Sequence, residues 1–237
     1  VYMFYLIITQ KKLADIKNDF INNMSHELKT PISTALAAVQ GMQHFNVLED
    51  PQKTSLYLQT TEGELKKLTS MVSKILNNAV FENGSFEIRK QQFDLKVALE
   101  ELIANHKMIN PNASIHLNYT GNEIITGDET YLKIALSNLI DNGIKYAEKD
   151  PVLVIECVNA LEGIQISVKD NGQGITKDYQ ERIFEQYFRV PKPDDHSVKG
   201  HGLGLAYSRS IIKKHSGTIQ LKGSDESGST FFIFLPK

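Results

Sequence analysis

Phe20-Ile-Asn-Asn-Met-Ser-His-Glu-Leu-Lys-Thr-Pro31 lies inside a longer amphipathic run that sets the architecture of the first part of the chain. Leu13, Ile16, Phe20, Met24, Leu28, Ile32, Ala35 and Val39 recur at steps of three and four, so the spacing predicts one helix over residues 11–44. Pro31 is its only interruption. Residues 45–51 form a short connector. A second stripe, Leu58, Leu65, Leu68, Val72, Ile75, Leu76 and Ala79, predicts a helix over 52–82. Two long helices joined by a short loop form an antiparallel hairpin. One stripe per helix gives too little depth for a closed core, whereas pairing with a second copy into a four-helix bundle buries both. A homodimer is the physical expectation.

Upstream, the chain opens on Val-Tyr-Met-Phe-Tyr-Leu-Ile-Ile. Eight such residues cannot span a bilayer, which takes about 20, and no basic leader precedes them. Opening on Val1, the chain reads as a piece of a longer protein. Two readings of residues 1–10 stand: the residual end of a transmembrane helix with Lys11 and Lys12 as its positive flank, or a signalling helix packed in an oligomer.

Downstream, Glu82-Asn-Gly-Ser85 is a turn signal and sets a domain boundary, giving a helical domain over 11–82 and a second domain over 83–237. Strands are expected at 86–93, 115–119, 153–158 and 164–169, with a closing hairpin of 218–222 and 230–235. Asp94 and Asp128 are placed to cap helices ending near Met108 and Tyr146, and a further helix covers 203–215. Residues 171–202, rich in Gly and charge, suit a mobile lid. The second domain reads as an α/β sandwich. With 41% apolar and 23% charged residues and a net charge of −2, a disordered chain and a nucleic-acid surface are both disfavoured. The lone Cys157 forms no internal disulfide and reads as a small buried hydrophobe.

The apolar stripe passes through Met24 and Leu28, which turns His26 towards solvent. An exposed imidazole is a nucleophile towards a phosphoryl group if one ring nitrogen stays unprotonated. A carboxylate at Glu27 can hold the tautomer that leaves Nε2 free. Thr30 lies one turn on, where its hydroxyl can position a water. Pro31 lacks an N–H for the Glu27 carbonyl, so a bend is expected beside His26.

No Gly-x-x-x-x-Gly-Lys-Ser/Thr occurs, so a P-loop is excluded, and the His-Arg-Asp and Asp-Phe-Gly signatures of Ser/Thr/Tyr kinases are missing. On the helix after Asp128, Asn138, Asn142 and Lys145 share a stripe beside the buried one. Two Asn oxygens one turn apart suit Mg²⁺, and Lys145 suits phosphate. Asp170-Asn-Gly-Gln-Gly174 follows a strand; the glycines let backbone approach a flat ligand, and Asp170 can accept from an exocyclic amine such as adenine N6. Gly200-His-Gly-Leu-Gly204 opens a helix whose free N–H groups face anions, with Arg189 and Lys199 able to neutralise charge. His201 either touches phosphate or is merely exposed. A helix-end cap accounts for His215, and His44, His106, His116 and His196 have no evident partners.

Ser25-His-Glu-Leu-Lys-Thr-Pro31 resembles the H-box of sensor histidine kinases, and Asn138-Leu-Ile-Asp-Asn-Gly-Ile-Lys-Tyr146 resembles their N-box. Asp170–Gly174, Phe184–Arg189 and Gly200–Leu205 resemble the G1, F and G2 boxes, and Gly228-Ser-Thr230 the last element. The one mild departure is Gly143 in place of Ala. The resemblance implies a dimerisation and phosphoacceptor hairpin followed by a GHKL (Bergerat-type) sandwich with a mixed sheet packed on helices, as in the Hsp90, gyrase and MutL ATPases. It implies autophosphorylation of His26 from Mg·ATP with Glu27 as acid/base partner. The phosphoryl group then passes to an Asp on a response regulator receiver domain, and Thr30 supports phosphatase activity. ATP contacts are implied for Asn138, Asn142, Lys145, Tyr146, Asp170, Gly172, Gly174, Ile175, Arg189, Lys199, Gly200, His201, Gly202, Leu203, Gly204, Leu205 and Thr230, with Mg²⁺ on Asn142 and Asn138. The implied setting is the cytoplasmic portion of a bacterial inner-membrane protein.

Overall fold

Asp50, Asp94 and Asp128 each start a helix by accepting from its free N–H groups: Asp50 from Gln52 (3.0 Å) and Lys53 (3.2 Å), Asp94 from Val97 (3.0 Å), Asp128 from Tyr131 (3.2 Å). The computed structural model describes all residues except 1, 45–49, 83–85, 148–149, 191–201 and 226. It divides into two units, Val1–Ser85 and Phe86–Lys237.

In the first unit, α1 (Tyr2–His44) packs along α2 (Pro51–Glu82). Helix α1 begins nine residues before the expected start, because the apolar opening continues the same helix. It stays helical through Pro31, whose side chain is buried. Met24, Ala35 and Ala38 are buried too, while Ile32 (51% exposed) and Leu36 (53%) face water. On α2, Tyr57, Thr61, Glu64, Leu68 and Met71 are half-buried. Leu58 (54%), Leu65 (51%) and Val72 (42%), spaced by sevens, stand clear of them. One hairpin thus leaves a whole apolar seam in water. The side chains of Leu13, Ile16, Phe20, Ile75, Leu76 and Ala79 lie outside the described set.

The second unit is a mixed five-stranded sheet under three helices. The strands are β2 (Ser114–Thr120), β4 (Val152–Ala160), β5 (Gly163–Asp170), β6 (Thr218–Asp225) and β7 (Gly228–Pro236), in the order β2-β4-β5-β7-β6. Only β2 and β4 run parallel. Strand alternation turns Ile164, Ile166 and Val168 inward and Gln165 and Lys169 outward. Above that face lie α3 (Leu95–Ile109), α4 (Glu129–Lys145) and α5 (Gly204–Lys214), contributing Leu99, Leu136, Leu139, Ile140 and Ile211, each nearly inaccessible to solvent. Cys157 is fully buried, and burial pushes its thiol up to about 12, so it serves as core.

The strand expected at 86–93 is corrected. Only Gln91–Asp94 (β1) pairs, with β3 (Ile124–Gly127), a four-residue strand too short to show a period. Phe86 is instead buried against the Tyr131 ring, 5.1 Å between centroids.

His215 does more than end a helix. Its Nδ1 donates to the Ile211 carbonyl (2.9 Å) and its Nε2 accepts from the Asp128 N–H (2.9 Å), tying the end of α5 to the start of α4. Accepting requires a neutral ring, and burial holds this imidazole below the ordinary histidine range. The unfolded chain therefore binds the proton first. This contribution to stability is complete above the ordinary value of about 6.5 and is lost as the pH falls through it towards the lowered value. Urea midpoints should drop between about pH 7 and 5. His215→Phe should flatten part of that slope and cost about 1–3 kcal/mol for the orphaned Asp128 N–H. Equal slopes in the two proteins would exclude His215 as the source.

Candidate functional site

Burial of Leu132, Ala135, Leu136, Leu139 and Ile140 fixes which way α4 faces and puts Asn138, Asn142 and Lys145 on the adjoining, half-exposed stripe. The Asn138 amide nitrogen donates to the Gly204 carbonyl (3.3 Å) and the Ser208 hydroxyl (3.4 Å), so Asn138 docks the first turn of α5. The buried Ser208 hydroxyl closes the same contact by donating to Ala135 O (3.0 Å). One turn on, no hydrogen bond among the described residues falls on the Asn142 side chain. Lys145 Nζ reaches the Tyr146 hydroxyl (3.3 Å) and lies 4.7 Å from the centre of its ring.

Asp170 ends β5 beside this helix terminus. It is 8% exposed, and Oδ1 accepts from Gly172 N (2.9 Å) and Ser229 N (3.0 Å). Burial raises its pKa above the ordinary carboxylate value. Both bonds fall on Oδ1, so Oδ2 is the oxygen left to accept from a ligand. Gln173 N donates to Tyr146 O (3.3 Å), which stitches the Asp170 loop to the end of α4. Gly143 explains itself here: a Cβ would meet Leu153 Cδ2 at 2.7 Å and Asp170 Cβ at 3.2 Å, so the glycine brings α4 close to the strand bearing Asp170. Gly174 has φ +72°, and a Cβ there would strike the Asp225 carbonyl. Ile175 N donates to the Ser224 hydroxyl (2.6 Å), which in turn pairs with Ser229 Oγ (2.9 Å).

Thr230 lies half-buried at the start of β7, registered opposite Lys169. Its neighbours Ser229 and Ser224 were missed in the sequence; only the pairing of β5, β7 and β6 brings them to Asp170 and Ile175. At the head of α5, Leu203 is buried, Gly204 and Leu205 are half-buried, and no side chain caps the helix. Its first N–H groups and the positive end of its dipole remain for an anion. Gly202 lies on the Tyr187–Phe188 backbone. Phe184 meets Phe231 edge-on at 6.3 Å, and Phe188 stacks near Tyr179 (5.8 Å) and Arg182 (4.3 Å), anchoring the chain before the exposed Arg189. Lys199, Gly200 and His201 lie outside the described residues.

In the first unit, His26 is exposed on α1 and Glu27 half-buried. The Thr30 hydroxyl donates to the His26 carbonyl at 3.4 Å, and Ser25 to Ile21 O at 2.8 Å.

The second unit fits a purine nucleotide: a buried carboxylate with a spare oxygen, a half-exposed Asn and Lys stripe, and an uncapped helix start. For a hard cation the donors are amide oxygens. Asn142 offers its oxygen, while Asn138 has its nitrogen committed and only Oδ1 left.

Residues 127–237 match the histidine kinase-, DNA gyrase B-, and HSP90-like ATPases, and residues 16–84 match the His Kinase A (phospho-acceptor) domain. A phospho-acceptor hairpin followed by an ATP-binding domain of that type defines the histidine kinases as a class. The chain belongs to the sensor histidine kinases of two-component systems. Sensor protein RprX of Bacteroides fragilis is 36% identical over 241 residues, covering 100% of this chain and 46% of the relative. Sensor-like histidine kinase SenX3 of Mycolicibacterium smegmatis is 30% identical over 229 residues, covering 95% and 59%. The chain thus spans about half the length of the curated relatives it matches. Acinetobacter baumannii histidine kinase AdeS shares the fold with a TM-score of 0.64 at 23% identity, covering 89% of this chain and 97% of that one. Histidine kinase ThkA, solved in complex with response regulator protein TrrA, does so with a TM-score of 0.63 at 23% identity, covering 100% and 66%.

Proposed function

We propose that this chain is a kinase core that moves the γ-phosphoryl group of ATP onto His26 and then to an aspartate of a response regulator. The observation that carries it is the exposed His26 in the same chain as the buried Asp170, whose two hydrogen bonds both fall on Oδ1. Asp170 Oδ2 accepts from the adenine amine, Lys145 and the α5 N-terminus face the phosphates, and Phe184 and Phe188 seat the segment bearing Arg189. Mg²⁺, held through Asn142 with Asn138 Oδ1 beside it, neutralises phosphate charge when bound. Glu27 keeps the proton on Nδ1. The Nε2 lone pair then forms the N–P bond as the bond to the β-phosphate oxygen breaks and ADP leaves, with positioning supplying most of the acceleration. The Nδ1 proton stays shared with Glu27.

The uncovered seam of Ile32, Leu36, Leu58, Leu65 and Val72 supports a homodimer closed as a four-helix bundle. The ThkA complex supports a receiver domain as the recipient. Exposed Met3, Phe4 and Ile7 support a membrane-proximal start to α1, although among the described residues no helix is long and apolar enough to cross a membrane. Incubation with γ-labelled ATP and Mg²⁺ should give an acid-labile, alkali-stable label on a particle of twice 26.7 kDa by light scattering. Tight ATP binding without label would leave a nucleotide-binding scaffold in its place.

A further inference from the structure

His106, a histidine with no partner evident in the sequence, is 7% exposed on α3 and has both ring nitrogens engaged by α4. Nε2 lies 2.9 Å from Ser137 Oγ, and Nδ1 lies 3.3 Å from Asp141 Oδ1. With the Nδ1 proton directed at the carboxylate, Nε2 accepts from the serine hydroxyl, and one tautomer satisfies both. Ser137 and Asp141 are four residues apart, and each immediately precedes one of the asparagines of the nucleotide stripe. One rigid ring therefore grips α4 at the two levels from which Asn138 and Asn142 project.

The rest of α4 is held by other means. Its start is fixed by the Asp128 cap and His215, and its first half by Lys133, bonded to Glu101 of α3 at 2.7 Å. On the far flank, Asn138 and Ser208 hold α5. Among the described residues, His106 is the polar link from α3 to the second half, which carries Asn142. A rotation of ~20° about the helix axis moves a side-chain tip ~6 Å from that axis by ~2 Å. Displacements of about 1 Å in a catalytic constellation cost roughly 10²-fold.

We propose that His106 is a positioning residue of the nucleotide site: by holding Ser137 and Asp141, it fixes the rotation of α4 and with it the aim of Asn138 and Asn142 towards the phosphates and their cation. The inference rests on the kinase reading above. The test measures, in the full chain, the Kd for ATP with and without Mg²⁺, the KM and kcat of self-labelling, and the thermal midpoint. His106→Leu, which keeps the bulk, should raise the Mg²⁺ concentration needed for half-maximal labelling by about tenfold or more. His106→Asn, whose amide takes the place of Nδ1 and can still reach Asp141, should recover part of that loss. Should His106→Leu fail to fold, Asp141→Ala, at a half-exposed side chain, should show the same Mg²⁺ shift. Variants that lower the melting point but keep wild-type Kd, KM and Mg²⁺ dependence would overturn the inference and leave His106 a packing residue. A wild-type chain that binds no ATP overturns the kinase reading instead, and the positioning role with it.

Discussion

Asp170→Asn should abolish useful nucleotide binding while leaving the fold intact. The replacement has the same shape, and its amide oxygen can accept the two bonds, from Gly172 N and Ser229 N, that Oδ1 accepts now. The change falls on the other atom. On the proposed reading, the carboxylate oxygen that would accept from the adenine amine becomes an NH₂ that meets it donor to donor. Losing a hydrogen bond to a charged group and burying an unpaired donor together cost about 3 kcal/mol, or roughly 10²-fold in Kd. Stability should move the other way. Burial raises the Asp170 pKa, so the folded protein holds this proton more tightly than the unfolded chain. Stability from this group is present below about 3.8, the ordinary value, and is lost as the pH rises through the raised one. Asparagine carries no such loss, so at neutral pH the variant should melt at or above the wild-type temperature. Titration with a fluorescent ATP analogue and a thermal melt check both arms. A variant Kd within about threefold of wild type would remove Asp170 from the purine contact.

What could be read from the sequence was what depends on near neighbours. Asp94 and Asp128 announced their helices because a cap acts three residues away. The β5 strand showed itself by alternation, and Asp170 by standing at a strand end before Gly-x-Gly. The apolar spacing of both long helices was legible as well. The sequence did not separate the half of each stripe that closes the hairpin from the half that stays open, since Leu58 and Leu68 look alike until α1 is laid beside α2. Distant pairings were illegible. Ser229 reaches Asp170 across 59 positions only because β7 registers on β5, and the Asp128 N–H reaches His215 across 87. His106 looked idle because both its partners lie on another helix. The four-residue β3 was missed because it is too short for a period of two to emerge.

His26→Gln should eliminate the acid-labile label and leave ATP binding untouched. The proposed nucleotide contacts all belong to Phe86–Lys237 and His26 to Val1–Ser85, so the substitution changes the proposed acceptor and none of those contacts. His26 is exposed, and its contact with Thr30 is through the backbone carbonyl, which glutamine retains. The melting point should therefore stay within the range of a surface change, about 0.5 kcal/mol. Glutamine offers no nitrogen lone pair to attack phosphorus, since its amide nitrogen is delocalised into the carbonyl. Glu27→Gln divides the reaction differently. The nucleophile survives, so label of the same acid lability should still form, but without the carboxylate proposed to hold the proton on Nδ1 the rate should fall about 10²–10⁴-fold. A His26→Gln chain that still acquires acid-labile phosphate would place the acceptor on another residue and undo the assignment of α1 as the phosphorylated helix. A Glu27→Gln chain labelled at the wild-type rate would leave His26 as the nucleophile and remove only its partner.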